Sequence, residues 1–245
     1  RNSGIRVLII GAGVIGSTYA CHLANQGLNV TLLASDNRFQ HLAVNGIHVQ
    51  NVVTRRRQTG PVHVVATVPA DEEFDLIILA VRYDQLCAAF ERVRPFIETT
   101  PLLFLQNNLM GTKAVIKDVE ADSFLLGFPG TAGIGIGGTA CSLPLWCGTT
   151  LIGESQNVST QRLHQTALIL RRAGLRVQVK KDIAAWLRTH AATITVLAGC
   201  IYRNGGTIRQ LGEREGQIRL YQETLEEVFH LMERGFKSSD VLICS

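Results

Sequence analysis

Several familiar signatures are missing from this 245-residue chain. No two of its six cysteines, at 21, 87, 141, 147, 200 and 244, form C-x-x-C, and its seven histidines show no metal spacing. Neither a zinc site nor a disulfide framework is therefore expected. Cys21, Cys87 and Cys200 stand in apolar runs and are expected to be reduced core thiols of a cytoplasmic protein. No apolar run reaches the ~18 residues that cross a membrane, and no signal-peptide pattern is present. The net charge of +4 is too small to suggest a nucleic-acid partner, though it suits anionic ligands. The densest basic run, Arg55-Arg56-Arg57, has no aromatic partners and reads as a solvated loop. There is no internal repeat and no low-complexity segment.

What is present begins at once. Arg6-Val-Leu-Ile-Ile10 runs into Gly11-Ala-Gly13-Val-Ile-Gly16, and a helical pattern follows from Val14 to Gln26. Gly27 stops it, and Val30-Thr-Leu-Leu-Ala34 reads as a second buried strand. A G-x-G-x-x-G alone is weak; set between strand and helix within about 30 residues, it marks a dinucleotide-binding βαβ unit. The first glycine allows the tight turn, the second lets a pyrophosphate approach, and the third lets helix and strand pack closely. The helix start, with Val14 and Ile15, offers N–H groups and a partial charge of roughly +0.5 to the phosphates.

The ribose is normally read just past the second strand, here Ala34-Ser35-Asp36-Asn37-Arg38. Ser35 is neutral and Arg38 can pair with a 2′-phosphate, which favours NADP. Asp36 dissents, because a strand one residue longer would let it serve NAD.

Further strands are expected at Ile47–Val49, Val62–Val65, Asp75–Val81, Leu102–Leu105, Thr149–Gly153 and, at an edge, Arg176–Val179. Helices are expected at Asp84–Val93 and Thr160–Arg172, and a short one after a polar stretch from Ser35 to Gln40. The glycine-rich run from Gly127 to Gly148 has no Lys-Ser/Thr after it, so it is not a P-loop; it reads as turns and edge strands. The alternation predicts an α/β fold with a doubly wound, Rossmann-type parallel sheet. After Lys180 the pattern becomes helical, at Ile183–Tyr202 and Leu220–Arg234, with Asp182 placed as an N-cap. The expected domains are residues 1–180, dinucleotide-binding, and 181–245, all-helical.

Together Gly11-Ala-Gly-Val-Ile-Gly16, Leu79-Ala-Val-Arg82, Leu105-Gln-Asn107 and Trp186-Leu-Arg188 resemble the ketopantoate reductase family. The resemblance runs from Ile5 to about Gly235. It implies an NADPH-dependent enzyme that reduces the ketone of 2-dehydropantoate, a step toward pantothenate. The cofactor would lie on the N-terminal domain, with substrate in a cleft between domains. It further implies that Val81 and Arg82 lie beside the cofactor, Arg82 replacing a usual lysine. Asn107 would sit at the nicotinamide and substrate side. Arg188 falls where the family carries its catalytic lysine, and Ala192 where it carries an asparagine. The family's substrate-holding serine and glutamate would fall beyond Ser245, so the helical domain is expected to be incomplete relative to the family.

The departure at Arg188 has chemical consequences. A cation stabilises the charge that develops on the ketone oxygen, and a proton must finally arrive there. Lysine can do both, whereas arginine keeps its proton. Water, Thr189 or His190 would have to deliver it. Two readings stay open: a 2-ketoacid reductase using Arg188 and Asn107, or a dinucleotide-binding sensor or degraded paralogue without turnover. A different dehydrogenase of the same arrangement ranks third, because no matching histidine or lysine dyad is visible. Expected partners are a small ketoacid and, at most, a second copy in a homodimer; nucleic acid, membrane and metal are not among them.

Overall fold

The structure, a computed structural model, describes residues 4–68, 71–107, 124–156, 158–213 and 216–233. Cys244, Gly235 and the tail from Lys237 lie outside the described residues. The chain divides into two compact units, and the division falls after Ala184.

The first unit opens with β1 (Arg6–Ile10), α1 (Val14–Asn25), β2 (Asn29–Leu33) and α2 (Asp36–Asn45). β3 (Val49–Asn51), β4 (Arg57–Gln58) and β5 (His63–Val65) follow. Then come β6 (Leu76–Leu79), α3 (Leu86–Glu91) and β7 (Leu102–Leu105). β8 (Leu125–Phe128), β9 (Thr131–Ile136), β10 (Thr139–Pro144), β11 (Thr149–Glu154), α4 (Gln161–Arg172) and β12 (Arg176–Val179) complete it. One sheet has the order β12-β11-β8-β7-β6-β1-β2-β5. Six strands, from β5 to β8, run parallel, while β11 is antiparallel to β8 and parallel to β12.

The apolar runs explain the sheet's centre. All four residues of β6 and of β7 are buried, as strands covered on both faces must be. Val7 and Ile9 join Tyr19, Ala20 and Leu23 of α1 in one core cluster. On the opposite face Phe90 of α3 stacks on Phe104, ring centroids 6.5 Å apart. At the far edge Glu154, 1% exposed, is forked by Arg162 through Nε at 3.0 Å and a second guanidinium nitrogen at 2.5 Å.

Several local expectations are corrected. α2 starts at Asp36, so most of the polar stretch expected before the helix, Ser35 to Gln40, is already helical. The glycine-rich run does supply an edge strand, β9, but β8 lies inside the main sheet and β10, paired with β9 in a hairpin, lies inside a second sheet, β4-β3-β10-β9. Arg57 of the basic run belongs to β4. Cys21 is buried as expected, but Cys87 is exposed and Cys200 half-buried.

The second unit is built from helices. α5 (Ile183–Arg203) crosses the division near its start; α6 (Ile208–Glu213), not expected from the residue pattern, and α7 (Gln217–Glu233) follow. No helix among the described residues is long and apolar enough to cross a membrane.

Candidate functional site

Strand order reverses at β1, which lies between β2 and β6. In open α/β sheets such a switch point leaves a crevice beyond the carboxyl ends of the strands. A cavity of about 470 Å³ opens there, lined by Gly11 and Gly13 after β1, Ser35 and Arg38 after β2, and Val81 and Arg82 after β6.

The three glycines are held for different reasons. Gly11 has φ +107°, and a Cβ there would come within 2.6 Å of the Ala80 carbonyl oxygen and 2.8 Å of Val81 Cγ1. A Cβ on Gly16 would strike the Gly11 carbonyl oxygen. Gly13 differs. Its backbone (φ −73°, ψ −170°) suits any residue, and an added Cβ would meet nothing within 4 Å. Neither fold nor backbone geometry requires a glycine at 13.

Gly13 is also the N-cap of α1, with no side-chain cap and no acidic residue in the first turn. The first N–H to find a carbonyl within the helix is that of Ser17, on Gly13, at 2.9 Å. The N–H groups of Val14, Ile15 and Gly16 are thus left to whatever approaches, and a phosphate is the chemistry they suit.

The loop is fixed from behind. Gly11 N–H donates to Leu33 O at 3.1 Å, and Ser17 Oγ donates to Ala12 O at 3.2 Å. Arg38 Nε also donates to Ala12 O, at 3.1 Å, while one terminal nitrogen donates to Gly138 O at 3.2 Å. Arg38 therefore ties the glycine loop to the β9–β10 turn, a role its sequence position did not reveal. Its guanidinium is half-buried, which lowers its pKa from the ordinary value, and no described carboxylate pairs with it. Ser35 is exposed and caps α2 without a side-chain hydrogen bond, and Asp36 is the first helical residue.

Arg82 is exposed and forks Asp84, at 3.0 and 2.6 Å. That hydrogen bond, with Asp84's charge behind it, raises the Arg82 pKa and holds the Asp84 carboxyl below its usual range. An exposed pair of this kind is easily exchanged for another anion. Asn107 is exposed just past β7, the parallel neighbour of β6, but does not line the cavity. Beside it Gln106 is 7% exposed, and both of its amide atoms lack a hydrogen-bond partner. Buried amides rarely go unmet; the motif Leu105-Gln-Asn107 contained this residue, but sequence reasoning assigned it no role.

The remaining candidate, Arg188, lies in the second unit, exposed on α5. Trp186 and His190, one turn apart, stack with centroids 4.9 Å apart and planes at 8°. Burial lowers the His190 pKa from its ordinary value. Ala192 is 2% exposed, so the side chain at that position is buried. Among the described residues no group of three His, Cys, Asp or Glu is placed to hold a metal ion.

Comparison with known proteins adds a family. The model described as "Ketopantoate reductase PanE/ApbA" matches residues 7–137. A curated 2-dehydropantoate 2-reductase of Pyrococcus abyssi is 24% identical over 188 residues, 75% of this chain and 59% of that protein. Its counterpart in Pyrococcus horikoshii is 25% identical over 187 residues, 74% and 58% respectively. The chain thus spans less than two thirds of the length of these relatives. Among solved structures, the 2-dehydropantoate 2-reductase of Geobacter metallireducens superposes with a TM-score of 0.77 at 21% identity, over 92% of this chain and 74% of that one. A D-mandelate dehydrogenase with NADH and anilino(oxo)acetate gives 0.75 at 19% identity, over 97% and 81%. At these identities the superpositions establish the shared fold.

Proposed function

The chain belongs to the ketopantoate reductase family, and from that premise we propose that it binds NADPH at the switch-point cavity and reduces the ketone of a small 2-ketoacid of the 2-dehydropantoate type. The observation that carries the cofactor reading is Gly13: a glycine that the fold does not need, at an uncapped helix start, facing open space. In this reading the N–H groups of Val14, Ile15 and Gly16 hold the pyrophosphate. Ser35 and Arg38 take the 2′-phosphate end, with Arg38 donating the N–H groups its two carbonyl partners leave over. Val81 and Arg82 line the cofactor's path, and Asn107 orients the reactive end.

NADPH held by these residues would supply hydride for the ketone carbon. Arg188 places positive charge at the ketone oxygen, where negative charge develops. Arginine does not release its proton, so water delivers the proton that completes the 2-hydroxyacid. His190 is stacked on Trp186 and is a weaker candidate than water for that step.

A second reading, dinucleotide binding without turnover, is favoured by Arg188 and by Ala192 in the core. One experiment separates the two. The protein is mixed with NADPH and a panel of 2-ketoacids, and absorbance at the nicotinamide band is followed for wild type, Arg188→Ala and Arg188→Lys. The reductase reading expects wild-type turnover, abolished in Arg188→Ala while NADPH affinity is kept. Turnover found only in Arg188→Lys would mean that the natural protein binds the cofactor and has lost the reaction.

A further inference from the structure

Helix α1 borders a second cavity. Thr18, Tyr19 and His22, along its middle, form one wall of a space of about 480 Å³. The other walls come from the β3–β4 hairpin, the β9–β10 hairpin and the turn between α4 and β12. No residue is shared with the lining of the switch-point cavity. A space of this size is typical of sites for small organic ligands.

Its charge is one-sided. Arg56 and Arg176 line it, and no Asp or Glu does. Among the described residues neither arginine has a carboxylate partner; the Arg176 guanidinium reaches only the Cys147 carbonyl oxygen, at 3.4 Å. Two polar atoms on lining residues, Thr18 Oγ1 and His22 Nε2, are withdrawn from solvent and hydrogen-bonded to nothing. Such atoms are costly to leave unmet.

The walls are held in place. The Tyr19 hydroxyl lies 2.6 Å from Thr150 Oγ1 and accepts the Gly130 N–H at 3.1 Å. Asn51 Oδ1 accepts the N–H groups of Val53 and Thr54, both at 3.0 Å, and Asn51 N–H donates to Arg56 O at 2.9 Å. Arg56, taken from sequence as part of a solvated run, is thus carried on an ordered turn at the cavity wall. Val49, Pro144 and Leu175 add an apolar part.

The geometry points to a second ligand site, for a small organic anion whose phosphate or carboxylate group is gripped by Arg56 and Arg176. Neutral polar side chains around the cavity meet the rest of the ligand, and its carbon part rests on Val49 and Leu175.

The test is an amide NMR titration of the full chain without nucleotide, with inorganic phosphate and, in parallel, malonate. Saturable shifts are expected at Thr54, Gly148 and Gly174 with at least one anion. A stronger response to phosphate assigns a phosphoryl ligand, and a stronger response to malonate a carboxylate. Arg56→Gln and Arg176→Gln should each raise the midpoint at these residues about tenfold, with amide dispersion otherwise unchanged. Any shifts at Gly11 and Gly13, where the glycine helix would itself take an anion, should persist in both variants. Gly13→Val should do the reverse, so failure of the dinucleotide reading leaves this test intact. The proposal is overturned if neither anion gives saturable shifts at those three residues up to on the order of 10 mM. Shifts there that are unchanged in both arginine variants overturn it as well.

Discussion

The glycine loop after β1 and the first turns of α5 carry the two halves of the proposed chemistry, and they are built on opposite plans. Around the loop the main chain does the work. The loop is fixed at Gly11 by the Leu33 carbonyl and at Ala12 by the Ser17 hydroxyl and the Arg38 guanidinium, and the groups offered to a ligand are backbone N–H. At Arg188 the main chain is already closed into α5, and what is offered there is the exposed side chain. Main-chain recognition depends on which residues lack a side chain and is hard to alter without losing it. Side-chain recognition can change by one codon while the helix stays as it was.

The sharpest way to break this contrast is at Gly16. A methyl group there would occupy the space of the Gly11 carbonyl oxygen, which is backbone and cannot rotate away. Gly16→Ala is expected to lower unfolding free energy by about 3 kcal/mol or more, measured by urea denaturation. A wild-type midpoint would show that helix and loop can separate, and that the loop is not the rigid element argued above.

Gly13 should behave oppositely. Gly13→Val is expected to lower unfolding free energy by no more than about 1 kcal/mol, the usual cost of an apolar N-cap, because its Cβ enters open space. NADPH and NADH affinities should both fall by about tenfold or more, read by quenching of protein fluorescence. Loss of stability with affinity kept would mean that Gly13 serves the fold after all.

What the sequence revealed follows the same line. β1, β6 and β7 were visible because strands buried on both faces must be continuously apolar. The direction of β11 was not, since antiparallel pairing with β8 leaves no mark on either strand. Nor was the placing of β8 to β10: the glycines of β8 and β9 carry little strand propensity, and long-range pairing of β8 with β11 and of β10 with β3 decides it. Cys87 was misplaced by composition. Its neighbours Leu86, Ala89 and Phe90 are buried, and the helical period that turns them inward turns Cys87 out. In the site, the glycines were legible. Arg38's bonds to Ala12 and Gly138, 26 and 100 residues away, were not, because no local pattern encodes a partner at that distance.

Arg38 sharpens the comparison further, because it serves main chain and ligand at once. Arg38→Met keeps much of the aliphatic stem and removes the donors to Ala12 O and Gly138 O. NADPH affinity is expected to fall by about tenfold or more, with NADH affinity falling much less, in parallel titrations. Equal losses would assign Arg38 to bracing the loop alone and leave 2′-phosphate recognition without a cation.

The smallest effect belongs to α5. Burial lowers the His190 pKa below its ordinary value of 6.5, so the unfolded chain binds the proton more readily than the folded one. Stability from this source is complete above pH 6.5 and is lost as the pH falls through 6.5 toward the lowered folded value. His190→Phe keeps an aromatic ring against Trp186 and removes the titration. The wild-type urea midpoint should therefore drop more than the variant's between about pH 7.5 and about pH 5.5. Equal drops would mean that the ring exchanges its proton as freely folded as unfolded. The start of α5 would then be more open to water than its stack on Trp186 implies, and the contrast with the braced glycine loop would widen.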